Sequence, residues 1–195
     1  MHMFVDARVL TIATNGFAEL AEPRQALIDA GVVVDLASPS LDTIRGVAGT
    51  DLSNMSPHFV SPDLVLEDVN VEHYDALFIP GGLANPDTLR TIPSAVAVVR
   101  AFIAAGKLVA SICHGPWMLI EADAVKGKAA TGWHSLRTDL TNAGARVWDE
   151  PVVKDDNLLT SRMPEDIPFF SEALVQALRQ QCSVRKVRKV MSDGA

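Results

Sequence analysis

Short apolar runs that stop at turns rich in glycine or proline, each followed by a stretch with helical spacing, recur along this chain. Residues 8–14 run into Asn15-Gly16, after which Leu20, Ala26, Leu27 and Ala30 recur near helical spacing up to Gly31. Residues 32–37 end at Ser38-Pro39-Ser40, and Ala76-Leu77-Phe78-Ile79 stops at Pro80-Gly81-Gly82. A helical stretch over 94–105 ends at Gly106, and 107–112 starts the cycle again. Apolar runs without polar alternation fit strands covered on both faces, and strands that alternate with helices build parallel sheets. The pattern therefore predicts an α/β fold around a central, mostly parallel sheet.

Later segments extend the pattern with strands near 129–131, 146–148, 152–154 and 158–160, a helix over 135–143 and a closing amphipathic helix over 167–178. The turn Asp155-Asp156-Asn157 joins the last two strands. Between 41 and 68, Gly46, Gly49, Pro57 and Pro62 interrupt scattered apolar residues, and no element is assigned beyond short edge strands. With 195 residues, 48% of them apolar, the chain suits one domain over 1–180, followed by a basic tail over 181–195 that is either ordered or disordered.

A net charge of −7 opposes nucleic acid or an anionic membrane as partner and favours a small neutral or polar substrate. Two well-separated cysteines, Cys113 and Cys182, fit a reducing compartment. No apolar stretch approaches the ~20 residues of a membrane helix, so a cytoplasmic protein is expected. His2, His58 and His73 lack metal-ligand spacing, and neither a Gly-x-Gly-x-x-Gly nor a Walker loop is present, so neither metal nor cofactor is expected.

In open α/β sheets ligands bind beyond the carboxyl ends of the strands. Cys113 occupies such an end, on the turn between the strand over 107–112 and a helix containing Met118, Leu119 and Ile120. Gly115 supplies one small residue of a nucleophile elbow, although Ser111 stands where the motif has its first glycine. A helix beginning near Pro116 would aim N–H groups at the sulfur and favour its thiolate. The N–H of His114, with one from the Gly81-Gly82 turn, would hold an oxyanion. The His114 side chain is either a general base or incidental to that N–H, and Cys113 itself is otherwise a buried small hydrophobe.

Several blocks resemble the ThiJ/PfpI superfamily, in its branch of PfpI-type intracellular peptidases and general stress proteins. They are Ala76-Leu77-Phe78-Ile79-Pro80-Gly81-Gly82-Leu83-Ala84-Asn85-Pro86-Asp87, Ala110-Ser111-Ile112-Cys113-His114-Gly115-Pro116-Trp117, Thr138-Asp139-Leu140-Thr141-Asn142-Ala143-Gly144-Ala145 and Asn157-Leu158-Leu159-Thr160-Ser161-Arg162. The resemblance implies a flavodoxin-like three-layer sandwich with a nucleophile-elbow cysteine, usually homodimeric. Cys113 then matches the family nucleophile and His114 the histidine beside it.

Glu19, four residues before Pro23, matches the glutamate that reaches the sulfur; a placement one turn away would make it Glu22 instead. Asp87 matches an acidic residue that meets the histidine across a dimer interface, against the plainer reading of a helix N-cap. Gly82 and His114 supply the oxyanion N–H groups, and Trp133 matches a pocket position that neighbouring His134 competes for. A carboxyl group beside a thiolate meets a like-charge penalty, so Glu19 is expected to hold its proton and donate it to the sulfur.

The implied function is a stress-response protein with a cysteine-dependent site, hydrolase- or glyoxalase/deglycase-like, acting on reactive carbonyls, their adducts or peptides. The alternatives are a redox sensor working through oxidation of Cys113, and a holdase-like chaperone.

Overall fold

The computed structural model describes residues 7–47 and 58–193, with the side chains of the closing helix described as far as Ser183. His2, the Gly49 and Pro57 interruptions and the basic side chains after Ser183 lie outside the described residues.

A seven-stranded sheet organises the molecule. Its strands are β1 (Arg8–Ile12), β2 (Val33–Ser38), β5 (Leu64–Val65), β6 (Ala76–Ile79), β7 (Leu108–Ile112), β10 (Val152–Asp155) and β11 (Leu158–Ser161). Two short pairs complete the strands, β3 (Ile44–Arg45) with β4 (Phe59–Val60) and β8 (Ala129–Ala130) with β9 (Arg146–Val147). The main sheet runs β10-β11-β7-β6-β1-β2-β5, every neighbouring pair parallel except β10 with β11. The order reverses between β1 and β6, which begin connections leading to opposite sides. At such a switch point the loops after the strands diverge and leave a crevice.

Helices cover both faces, which is why β6 is apolar throughout, β7 is apolar but for Ser111, and both are wholly buried. On one face Leu10, Leu77, Ile79 and Val109 pack with Val96, Val99 and Phe102 of α3 (Pro93–Ala104). α2 (Ala84–Leu89), α4 (Pro116–Glu121) and α5 (Arg137–Asn142) add Leu89, Met118, Leu119 and Leu140 to that layer. On the other face Val9, Phe78, Leu108 and Ala110 meet Leu27 of α1 (Ala21–Asp29) and Phe170, Leu174 and Leu178 of α6 (Ile167–Asp193). Side chains of a strand alternate between faces, so one strand feeds both layers.

The 41–68 region resolves into β3, β4 and β5 where it is described. The closing helix does not stop at 178: α6 continues through 181–193, so most of the basic tail is a continuation of that helix. Gln181 explains its hold on the body, accepting from Leu108 N at 2.8 Å and donating to the Asp75 carbonyl. The Phe78 and Phe170 rings lie 5.7 Å apart and neither is exposed. Phe170→Ala is expected to cost about 3–5 kcal/mol in urea unfolding, the usual loss for a fully buried phenylalanine. A loss under about 1 kcal/mol would show that α6 does not anchor this layer.

Candidate active site

Three strand ends meet at the switch point. The chain leaving β1 carries Glu19, the chain leaving β6 carries Gly81 and Gly82, and the chain leaving β7 carries Cys113. Cys113 has φ +62° and Glu19 has φ +54°, left-handed conformations that L-residues seldom adopt. Strained backbone at two residues that meet at one spot persists only where the surrounding structure holds it, and such strain clusters at functional sites in general.

The elbow is tied at each step. Cys113 N–H donates to Ser161 O at 3.1 Å, Gly115 N–H to Ile112 O at 2.9 Å and Trp133 N–H to Cys113 O at 2.8 Å. A Cβ on Gly115 would overlap Ser111 Oγ and lie 2.9 Å from Ile112 O, so the turn closes only around a hydrogen. Gly81 has the same constraint for a different reason. A Cβ there would overlap Glu19 Oε2 and lie 2.5 Å from Cys113 Cβ, so the missing side chain is the space in which carboxyl and thiol meet.

Glu19 is 8% exposed and Cys113 2%. Burial pushes the Glu19 carboxyl up to about 7, against the opposing pull of the Gly82 N–H and the thiol. Its Oε2 is buried without a hydrogen-bond partner, which also favours the protonated form. The Cys113 thiol is pushed well above its usual value, first by burial and then by the Glu19 charge, while the Gly82 and His114 N–H groups act in the opposite direction. This corrects the expectation of a thiolate favoured by the following helix. α4 is only six residues long, and its ends cannot outweigh desolvation and a neighbouring carboxylate. Near neutral pH the thiol therefore keeps its proton while the carboxyl is close to half protonated, so Glu19 is the group poised to take up or release a proton.

His114 Nδ1 lies 3.3 Å from Cys113 Sγ. Burial, with the nearby His134, lowers the imidazole to about 4, so it is neutral at pH 7 and no cysteine–histidine ion pair forms at rest. The ring sits between Trp117 at 5.3 Å and Trp133 at 5.6 Å, the latter stacked, while exposed His134 packs on the outer side of Trp133 at 4.6 Å. Trp133 thus borders the histidine directly and His134 reaches it through Trp133.

The structure brings together Cys113, His114, Glu19, Gly82 and Trp133. Glu22 is exposed in the first turn of α1, whereas Glu19 precedes that helix. Asp87 is not brought to the cluster within one chain: it is exposed on α2, and among the described residues it makes no hydrogen bond or ion pair. Nor is it an N-cap, because α2 begins at Ala84 after Leu83. Sequence reasoning passed over Asn85, which is fully buried beside the site. Its only local signal is an asparagine before proline, which reads as a turn.

Raising the Glu19 pKa from 4.5 to about 7 means that the folded state holds a proton the unfolded chain has released over that window. Stability therefore falls as pH rises from 4.5 to 7. The depressed His114 works in the opposite sense, losing stability as pH falls from 6.5 to about 4. Comparing the wild type with Glu19→Gln cancels most of the histidine effect. The variant should match the wild type near pH 4.5 and exceed it at pH 8 by roughly 3 kcal/mol in denaturant unfolding. Equal stabilities at both pH values would show that Glu19 is not desolvated.

A model of the DJ-1/PfpI family matches residues 7–177. General stress protein 18 of Bacillus subtilis is 41% identical over 165 residues, covering 84% of this chain and 91% of that protein. Deglycase PH1704 of Pyrococcus horikoshii is 37% identical over 174 residues, covering 88% of this chain and 99% of that protein. Among solved structures, a two-domain protein of Anabaena variabilis with DJ-1/ThiJ/PfpI-like and ferritin-like domains superposes with a TM-score of 0.82 at 33% identity. The match covers 88% of this chain and 48% of that one, so the chain spans about half its length. Among the described residues no helix is long and apolar enough to cross a membrane. With its flavodoxin-like seven-stranded sheet and a family match over nearly the whole chain, this protein belongs to the DJ-1/PfpI family.

Proposed function

We propose that this chain is a cytoplasmic stress-response enzyme in which Cys113 attacks reactive carbonyls or their adducts, in the manner of a glyoxalase, deglycase or hydrolase. The observation that carries the reading is the buried Cys113 thiol set beside the buried Glu19 carboxyl where Gly81 lacks a side chain, next to the Gly82 and His114 N–H groups. Names among the relatives support it, one a stress protein and one a deglycase.

With methylglyoxal as substrate, the thiol proton passes to the Glu19 carboxylate as sulfur bonds to the aldehyde carbon. The C=O π pair moves onto oxygen, giving an alkoxide beside the Gly82 and His114 N–H groups. Glu19 returns its proton to that oxygen, producing a hemithioacetal. Neutral His114 then takes the proton from the former aldehyde carbon, giving an enediolate and an imidazolium, and the hydroxyl proton of the former aldehyde oxygen moves to the neighbouring oxygen. The imidazolium returns its proton to the neighbouring carbon, giving a thioester of lactate, which water cleaves to lactate and free thiol. The net reaction is methylglyoxal plus water to lactate, and it needs no external oxidant or cofactor.

Cys113 is almost sealed in the single chain, and exposed Asp87 has no partner among its described residues. The reading therefore includes a homodimer in which Asp87 approaches His114 of the partner subunit and orients its imidazole.

In amine-free buffer without added cofactor, the wild type should form lactate from methylglyoxal in many-fold excess over enzyme, and Cys113→Ala should fall to the buffer rate. Asp87→Ala should retain part of the activity, with a lowered kcat. Full turnover by Cys113→Ala would overturn the reading. Absence of turnover by the wild type, together with stoichiometric peroxide oxidation at Cys113, would replace it with a redox sensor.

A further inference from the structure

Asn85 carries a role that the site's chemistry depends on but no substrate contact reveals. It lies in the first turn of α2 and has no exposed surface. A fully buried amide must satisfy its polar atoms internally, and Asn85 does so with three bonds. Its Oδ1 accepts from Thr14 N–H at 2.7 Å, and its Nδ2 donates to Pro80 O at 3.1 Å and to Gly81 O at 3.2 Å. The orientation of the amide is unambiguous, because the Thr14 N–H requires an acceptor and the two carbonyls require a donor. One side chain therefore ties the end of β1, which leads to Glu19, to the end of β6, which leads to the oxyanion turn.

The Gly81 carbonyl accepts a second bond from Ala18 N–H at 3.2 Å. That carbonyl and the Gly82 N–H belong to one planar, trans peptide unit and point in opposite directions. Holding the carbonyl toward Ala18 and Asn85 aims the Gly82 N–H the other way, at the side where Cys113 and the Glu19 carboxyl meet. Without such a hold the unit is free to turn over, since glycine on both sides removes the Cβ atoms that would resist it, and Gly82 already sits at φ +82°. A reversed peptide would present a carbonyl oxygen to the sulfur and abolish one of the two donors.

We propose that Asn85 is a positioning residue whose side-chain amide locks the Gly81–Gly82 peptide with its N–H toward the Cys113 sulfur. Asn85 makes no contact with the reacting atoms and acts through that peptide. The inference builds on the proposed cysteine chemistry, but the sulfur reports the lock whether or not methylglyoxal is a substrate.

The test compares wild type, Asn85→Ala and Leu89→Ala. Leu89 is on the same short helix and is also fully buried, yet no bond links it to the peptide, so it serves as a control for lost packing. Iodoacetamide alkylation is followed by mass spectrometry on the Cys113 peptide across pH. Loss of the N–H raises the thiol pKa, so Asn85→Ala should alkylate at least about tenfold more slowly at pH 8, one pKa unit being tenfold in thiolate. Leu89→Ala should melt lower with an unchanged alkylation profile. If methylglyoxal is turned over, Asn85→Ala should lower kcat by about tenfold or more and leave KM nearly unchanged, as for a lost oxyanion donor. Should Asn85→Ala fail to fold, Asn85→Ser retains one donor and should show a smaller slowing. A folded Asn85 variant with the wild-type alkylation profile, or an equal slowing in Leu89→Ala, would overturn the proposal.

Discussion

A carboxyl and a thiol forced together out of water, the carboxyl poised near neutral pH and the thiol holding its proton, form the constraint around which this structure is arranged. Neither group would stay charged there at little cost, and both cannot be charged together. Gly81 must lack a side chain for Glu19 and Cys113 to meet at all. Both residues adopt left-handed backbone to reach each other. The surrounding N–H groups partly offset the loss of solvent, and in doing so they prepare a place for negative charge to develop.

Such strain persists only where the scaffold over-determines it. The scaffold here is a parallel sheet buried on both faces, whose order reverses at the strands that carry the site. α3 fills one face with Val96, Val99 and Phe102, and α6 fills the other with Phe170, Leu174 and Leu178. Fixed strand ends then hold the three loops by short contacts: Ser161 O on the Cys113 N–H, Gly81 O on the Ala18 N–H, and the Asn85 amide across the first two loops. Chemistry at this site is thus a property of loop registry, which the core sets from below.

Much of the fold was legible in the sequence, because wholly buried strands read as uninterrupted apolar runs. The run Ala76–Ile79 matches β6 residue for residue, and the turn after 112 placed Cys113 at a strand end. Glu19 was legible only through its spacing to Pro23 and a family resemblance, since its left-handed backbone and burial arise from contacts with distant loops. The state of the thiol was misread for the same reason: a following helix is a local signal, whereas desolvation and the facing carboxylate are tertiary ones. Asn85 gave almost no signal, because one asparagine before a proline looks like any turn until two strand ends close around it. The closing helix ran past 178 because Gln181 pairs with Leu108 and Asp75, partners no periodicity shows.

The most direct test of this buried carboxyl is a pH titration of the Glu19 carboxyl carbon by NMR in selectively labelled protein. The account predicts a midpoint near pH 7 in the wild type, as burial requires. A midpoint near the ordinary glutamate value of 4.5 would contradict it, since the carboxyl would then not be desolvated by its surroundings and would be too weak a base to take the thiol proton.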